Sequence, residues 1–99
     1  MEKYALKVIF KKSGEMIYFS QLDLIHILER ALRRSGLPLY FTQGFSPRVK
    51  ISFYSGLKLG LEGDIQAQLY FRSQISFLEF KTCLSKELPA GLSLIGEMK

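Results

Sequence analysis

Apolar and polar residues alternate along residues 3–11, 48–54 and 65–72, and apolar residues recur at helical spacing along residues 20–35 and 76–88. In the first stretch Tyr4, Leu6, Val8 and Phe10 share one face, and Lys3, Lys7 and Lys11 lie with Ala5 and Ile9 on the other. A period of two with one apolar face predicts a strand that buries that face. The second strand sets Val49, Ile51 and Phe53 against Arg48, Lys50 and Ser52. The third sets Ile65, Ala67, Leu69 and Phe71 against Gln66 and Gln68. Residues 92–95 read as a short last strand, residues 39–42 as a short β-prone segment, and residues 16–19 as a short extended run after a turn at residues 12–15. Gly56, Gly60 and Gly63 punctuate residues 55–64, which read as a connector.

The first helix opens at Ser20, an N-cap residue whose hydroxyl can accept a backbone N–H, with Asp23 three residues on to reach back as in a capping box. Its core stripe is Leu24, Ile27, Leu28, Ala31 and Leu32, and Gly36 and Pro38 end it. Ser76 caps the second helix, with Phe77, Phe80, Leu84 and Leu88 as its stripe, and Pro89 and Gly91 stop it. The order is strand, helix, strand, strand, helix, strand. It predicts an α+β, two-layer ferredoxin-like sandwich: a four-stranded antiparallel sheet, first and third strands central, with both helices on one face. Leu24, Ile27, Leu28, Leu32, Phe77, Phe80 and Leu84 are expected to face the sheet.

Ninety-nine residues, 47% of them hydrophobic, suit a single globular domain over residues 1–99. One cysteine, Cys83, forms no internal disulfide and sits among apolar neighbours, as a small core residue does. Lysines at 3, 7, 11 and 12 interrupt any N-terminal apolar leader, and no apolar run approaches the roughly 20 residues of a membrane span, so the expected setting is cytoplasmic with no membrane partner.

Net charge is +5, and its placement says more than its size. Residues 24–61 hold Arg30, Arg33, Arg34, Arg48, Lys50 and Lys58 against Glu29 alone, while the two flanking thirds nearly cancel. Such clustering favours an anionic partner, nucleic acid first, over charge kept for solubility. At its centre lies the loop of residues 42–50, Thr-Gln-Gly-Phe-Ser-Pro-Arg-Val-Lys. Gly44 permits positive φ and Pro47 fixes its own φ and extends Ser46, so the loop is shaped. Arg30, Arg33, Arg34, Gly44, Phe45, Arg48 and Lys50 are the candidate nucleic-acid contacts, arginine for bidentate phosphate binding and the ring for stacking on bases. Tyr40, Phe41, Phe45, Phe53 and Tyr54 interleave with these cations; Phe41 and Phe53 are expected in the core, whereas Phe45 reads equally as a packing plug or an exposed contact.

Catalytic chemistry has little to stand on. His26 has only Asp23 nearby in sequence, and an exposed helix pair of that kind is usually structural. One His and one Cys cannot complete a zinc site, an iron–sulfur cluster needs several cysteines, and neither a phosphate-binding loop nor a dinucleotide fingerprint is present, so no cofactor is expected.

Three segments together are more specific than any one of them: Ser20-Gln21-Leu22-Asp23-Leu24, the run Arg30-Ala31-Leu32-Arg33-Arg34-Ser35-Gly36-Leu37-Pro38, and Gly44-Phe45-Ser46-Pro47-Arg48-Val49-Lys50-Ile51-Ser52-Phe53. With Leu59-Gly60 and Leu88-Pro89-Ala90-Gly91-Leu92, the chain resembles the radical-SAM-linked protein family, an uncharacterised bacterial domain found beside or fused to radical-SAM proteins. Gln21 stands where that pattern has a histidine, and Gly63-Asp64-Ile65-Gln66 departs from its acidic connector. The resemblance implies an accessory domain working with a radical-SAM enzyme on RNA; it does not imply that this chain itself binds S-adenosylmethionine or a cluster. The leading expectation is thus a non-catalytic domain that binds RNA for a radical-SAM partner. Its rivals are a protein–protein adaptor docking on that enzyme and, third, an RNA-processing enzyme with His26 as general base.

Overall fold

The computed structural model of the chain describes residues 3–54 and 63–97. Its strands are β1 (Tyr4–Lys12), β2 (Ile51–Phe53), β3 (Gly63–Phe71) and β4 (Leu92–Glu97), and its helices are α1 (Gln21–Ser35) and α2 (Phe77–Ser85). The sheet order is β2-β3-β1-β4, antiparallel throughout, with the two nine-residue strands β1 and β3 at its centre. Central strands make ladder bonds on both sides, which suits the two longest alternating segments.

The alternation decides which face is buried. Leu6, Val8 and Phe10 of β1 and Ile65, Ala67, Leu69 and Phe71 of β3 form one cluster with Leu24, Leu28, Ala31 and Leu32 of α1 and Phe80 and Leu84 of α2. Both helices therefore cover the same face, giving the ferredoxin-like sandwich. Phe71 and Phe80 meet edge to face at a centroid distance of 5.9 Å, the arrangement that the ring quadrupoles favour. Of the expected core residues, Ile27 and Phe77 are only half-buried, packed against the cluster's rim, as are Phe41 and Phe53. Cys83, expected inside, is half-buried as well.

Capping follows the sequence closely. The Ser20 hydroxyl accepts the Asp23 N–H at 3.2 Å, and Asp23 Oδ2 accepts the Ser20 N–H at 3.0 Å. Gly36 ends α1 in the left-handed conformation. In α2 the Ser76 hydroxyl accepts the Glu79 N–H at 3.1 Å. That helix stops at Ser85, short of residue 88, because the chain tightens: the Glu87 N–H donates to the Leu84 carbonyl at 2.8 Å.

Two segments differ from expectation. Residues 16–19 are not extended; Gly14–Tyr18 form a 3₁₀ turn whose one buried side chain is Met16. The Met16 and Phe19 N–H groups donate three residues back, to Ser13 and Met16, so this run satisfies its backbone locally. The Ser13 N–H instead bonds the Gly91 carbonyl at 2.8 Å. Here only glycine fits: Gly91 has φ +92°, and a Cβ on it would stand 2.7 Å from the Ser13 carbonyl oxygen.

The second strand is also shorter than residues 48–54, because residues 39–41 take the place beside β3. The Tyr40 N–H donates to the Tyr70 carbonyl and the Lys50 N–H to the Tyr40 carbonyl, both at 3.1 Å, with bridges between Leu39 and Phe71 and between Phe41 and Val49. Residues 48–50 thus pair with the β-prone segment, and only Ile51–Phe53 reach β3. The connector expected at residues 55–64 falls outside the described residues up to 62, and Gly63 and Asp64 open β3. Among the described residues no helix is long and apolar enough to cross a membrane.

Candidate nucleic-acid interface

Glu29 organises the loop that follows α1. Arg48 donates to both of its carboxylate oxygens, Nη2 to Oε1 at 2.8 Å and Nε to Oε2 at 3.3 Å, and the Val49 N–H donates to Oε2 at 3.1 Å. The loop closes on itself through the Thr42 N–H to the Arg48 carbonyl at 2.7 Å and the Arg48 N–H to Thr42 Oγ1 at 3.0 Å. The Arg48 hydrogen bond, then the Val49 N–H, hold the Glu29 carboxyl below its ordinary value, and the same bond raises Arg48. Counted by charge alone, Glu29 is a lone acid in a basic segment; folded, it ties that segment to the helix.

This anchored loop carries Phe45 at its tip, next to Gly44 with φ +133°. The ring is fully exposed, which settles the choice between plug and surface. Phe45→Ala should change the unfolding free energy measured by chemical denaturation by no more than about 0.5 kcal/mol; a larger loss would mean the ring packs in solution.

The four arginines do not form one patch. At 3.6 residues per turn, neighbouring positions stand about 100° apart, so Arg33 and Arg34 lie on different flanks of α1. Arg33 sits with Glu29, Nη2 to Oε2 at 3.6 Å, and its guanidinium lies 5.1 Å from the Phe41 ring centroid. Arg34 turns toward the end of α2, where Nη2 donates to the Glu87 carbonyl at 2.9 Å and Nε lies 3.4 Å from Glu87 Oε1. Four arginines against Glu29 and Glu87 leave two positive charges, spread over two flanks. Among the described residues Arg30 has no acidic partner.

Lys50 belongs elsewhere, on the sheet face that the helices leave open. Register places its neighbours: Ala5 opposite Tyr70, Lys7 opposite Gln68, Ser52 opposite Gln68 and Lys11 opposite Asp64. Lys3 Nζ lies 5.2 Å from the Tyr70 centroid and 5.8 Å from that of Tyr40; Lys50 Nζ lies 5.3 Å from Tyr70; Lys7 Nζ lies 5.6 Å from Tyr54. The Tyr54 hydroxyl donates to Gln68 Oε1. Among the described residues, Lys3, Lys7 and Lys50 are interleaved with three tyrosines on this face. No described element covers this face. Sequence reasoning placed the lysines of residues 3–11 outward and counted Tyr40 and Tyr54 among the rings interleaved with the basic segment, but missed Tyr70. The outward register of Tyr70 beside Gln66 and Gln68 was readable; the position of Tyr40 depended on the edge pairing.

Asp23 is committed to its helix cap: the Ser20 N–H first, then the Ser20 hydroxyl, hold it below its ordinary value. His26 is half-buried on α1, and no described hydrogen bond joins it to Asp23. No curated protein and no solved structure shows significant similarity to the chain. One family profile spans residues 5–99, and the chain therefore belongs to the family described as uncharacterized protein conserved in bacteria (DUF2344).

Proposed function

We propose that this domain binds single-stranded RNA on its open sheet face, as a non-catalytic accessory to a radical-SAM partner enzyme. The carrying observation is the set of ammonium groups of Lys3, Lys7 and Lys50 resting on the rings of Tyr40, Tyr54 and Tyr70. Exposed cation–π contacts contribute only about 0.5–1 kcal/mol each. A strand laid across the face exchanges them at little cost: each lysine swings to a phosphate and frees a ring for a base, and stacking adds roughly 1–3 kcal/mol per base. Tyr70 stands out because Lys3 and Lys50 share it. Two like charges on one ring repel, and a phosphate between them relieves that repulsion. The radical-SAM partner rests on the sequence resemblance alone.

Fluorescence anisotropy with a labelled ten-nucleotide single-stranded RNA at two salt concentrations tests this reading. Lys3→Glu with Lys50→Glu should weaken binding more than tenfold and flatten the salt slope by about 0.7 per lost phosphate contact. Arg33→Glu, on the other face, should change affinity far less. Equal affinity for wild type and the double reversal, or no binding by wild type at low salt, overturns the proposal.

A further inference from the structure

A second surface lies in the helical layer, opposite the sheet face, and has a different chemistry. Ile27, Arg30 and Arg34 follow one stripe of α1 at i, i+3 and i+7. With Met16, Phe19 and Pro89 they line a notch of about 270 Å³. Its base is built in advance. The Ser13 N–H to Gly91 carbonyl bond and the close approach of Gly91 to Met16 lock the 3₁₀ turn against the turn after α2. Arg34 is held in place by Glu87, which also balances its charge. Arg30 is exposed and has no acidic partner among the described residues. Tyr18, next in sequence to Phe19, is exposed at 68%.

We infer that this notch docks a short acidic, apolar segment of a protein partner, one large apolar side chain entering it and a neighbouring carboxylate pairing with Arg30. Size argues for a single side chain, because small-molecule sites run from roughly 300 to 1,000 Å³. Charge argues for a peptide over RNA. One unbalanced arginine above an apolar floor with a single ring matches one carboxylate beside one apolar group, whereas a nucleic-acid strand needs successive cations and ring faces. A preformed notch also binds with little ordering cost. This docking does not depend on the RNA reading, and because the two surfaces lie on opposite faces, both can be occupied at once.

The experiment is an anisotropy titration with a fluorescein-labelled eight-residue peptide that carries two leucines between glutamates. Its controls are the same peptide with serines for the leucines and one with lysines for the glutamates. The wild-type protein should bind the first with a Kd of about 10 μM to 1 mM, as a small interface allows. Either control should bind at least tenfold more weakly. Arg30→Glu should weaken binding at least tenfold and Arg30→Gln less, with unchanged circular dichroism; Phe19→Ala should weaken it severalfold. Saturating single-stranded RNA should leave the peptide bound. The inference is overturned by no binding at 1 mM, by equal binding of the serine peptide, by indifference to Arg30→Glu, or by displacement with RNA.

Discussion

Phe80→Ala should cost about 3–5 kcal/mol, the range for deleting a fully buried ring. Phe80 has no exposed surface, lies edge-on to Phe71 of the central strand β3, and has the Phe77 ring 6.4 Å away. It is one of only two residues of α2 in the buried cluster, so little else can collapse into the space it leaves. A domain of this size has on the order of 5–15 kcal/mol in total, so the loss is a large fraction and should lower Tm by well over 10 °C. Leu28→Ala, on α1 at 1% exposure, should cost about 2–5 kcal/mol by the same reasoning. Leu78→Ala is the internal control: next in sequence to Phe77 but 72% exposed, it should stay within about 0.5 kcal/mol. Urea denaturation of the three variants checks the assignment. A loss below about 1 kcal/mol for Phe80→Ala would mean that α2 presents a different face to the sheet.

Glu29→Ala should cost on the order of 1–3 kcal/mol, more than an ordinary helix-surface change, because it removes the acceptor of the half-buried Val49 N–H together with the ion pair to Arg48. The Arg48 side chain is half-exposed, so most of the loss comes from the orphaned backbone group and the freed loop rather than from the charge pair. The amide of Val49 should lose hydrogen-exchange protection while the amides of β1 keep theirs. Acid should reproduce part of the effect. The folded carboxyl titrates below its ordinary value of 4.5, so the stability it contributes is complete above that pH and is lost as pH falls through the lower folded value. Glu29→Gln should flatten the decline in stability below about pH 4.5. An unchanged Val49 exchange rate in Glu29→Ala, or identical acid profiles for wild type and Glu29→Gln, would show that the loop is held by other contacts.

Glu29 also shows where reading the chain runs out. Its role depends on Arg48 and the Val49 N–H, nineteen and twenty residues away, and no local pattern encodes that meeting. The arginines mislead for the opposite reason. Arg30, Arg33 and Arg34 are close in sequence, but helical rotation sends Arg33 to Glu29 and Arg34 to Glu87. Ser20, Asp23 and Gly36 were legible because a helix end is a local problem that three or four residues solve. The 3₁₀ turn at Gly14–Tyr18 was missed because a short apolar run has no period to read and one buried methionine is enough to seat it.

Period, local backbone bonding and composition carry the order of the long strands and helices, the buried face of each long strand, the helix caps and the excess of positive charge. Which cations stand together depends on strand pairing and helix packing. Strand pairing brings Lys3, Lys50, Tyr40 and Tyr70 to one spot from four separate segments, and Glu29 draws Arg48 back onto α1. Charge reads out by distance in space, and only the assembled sheet sets those distances.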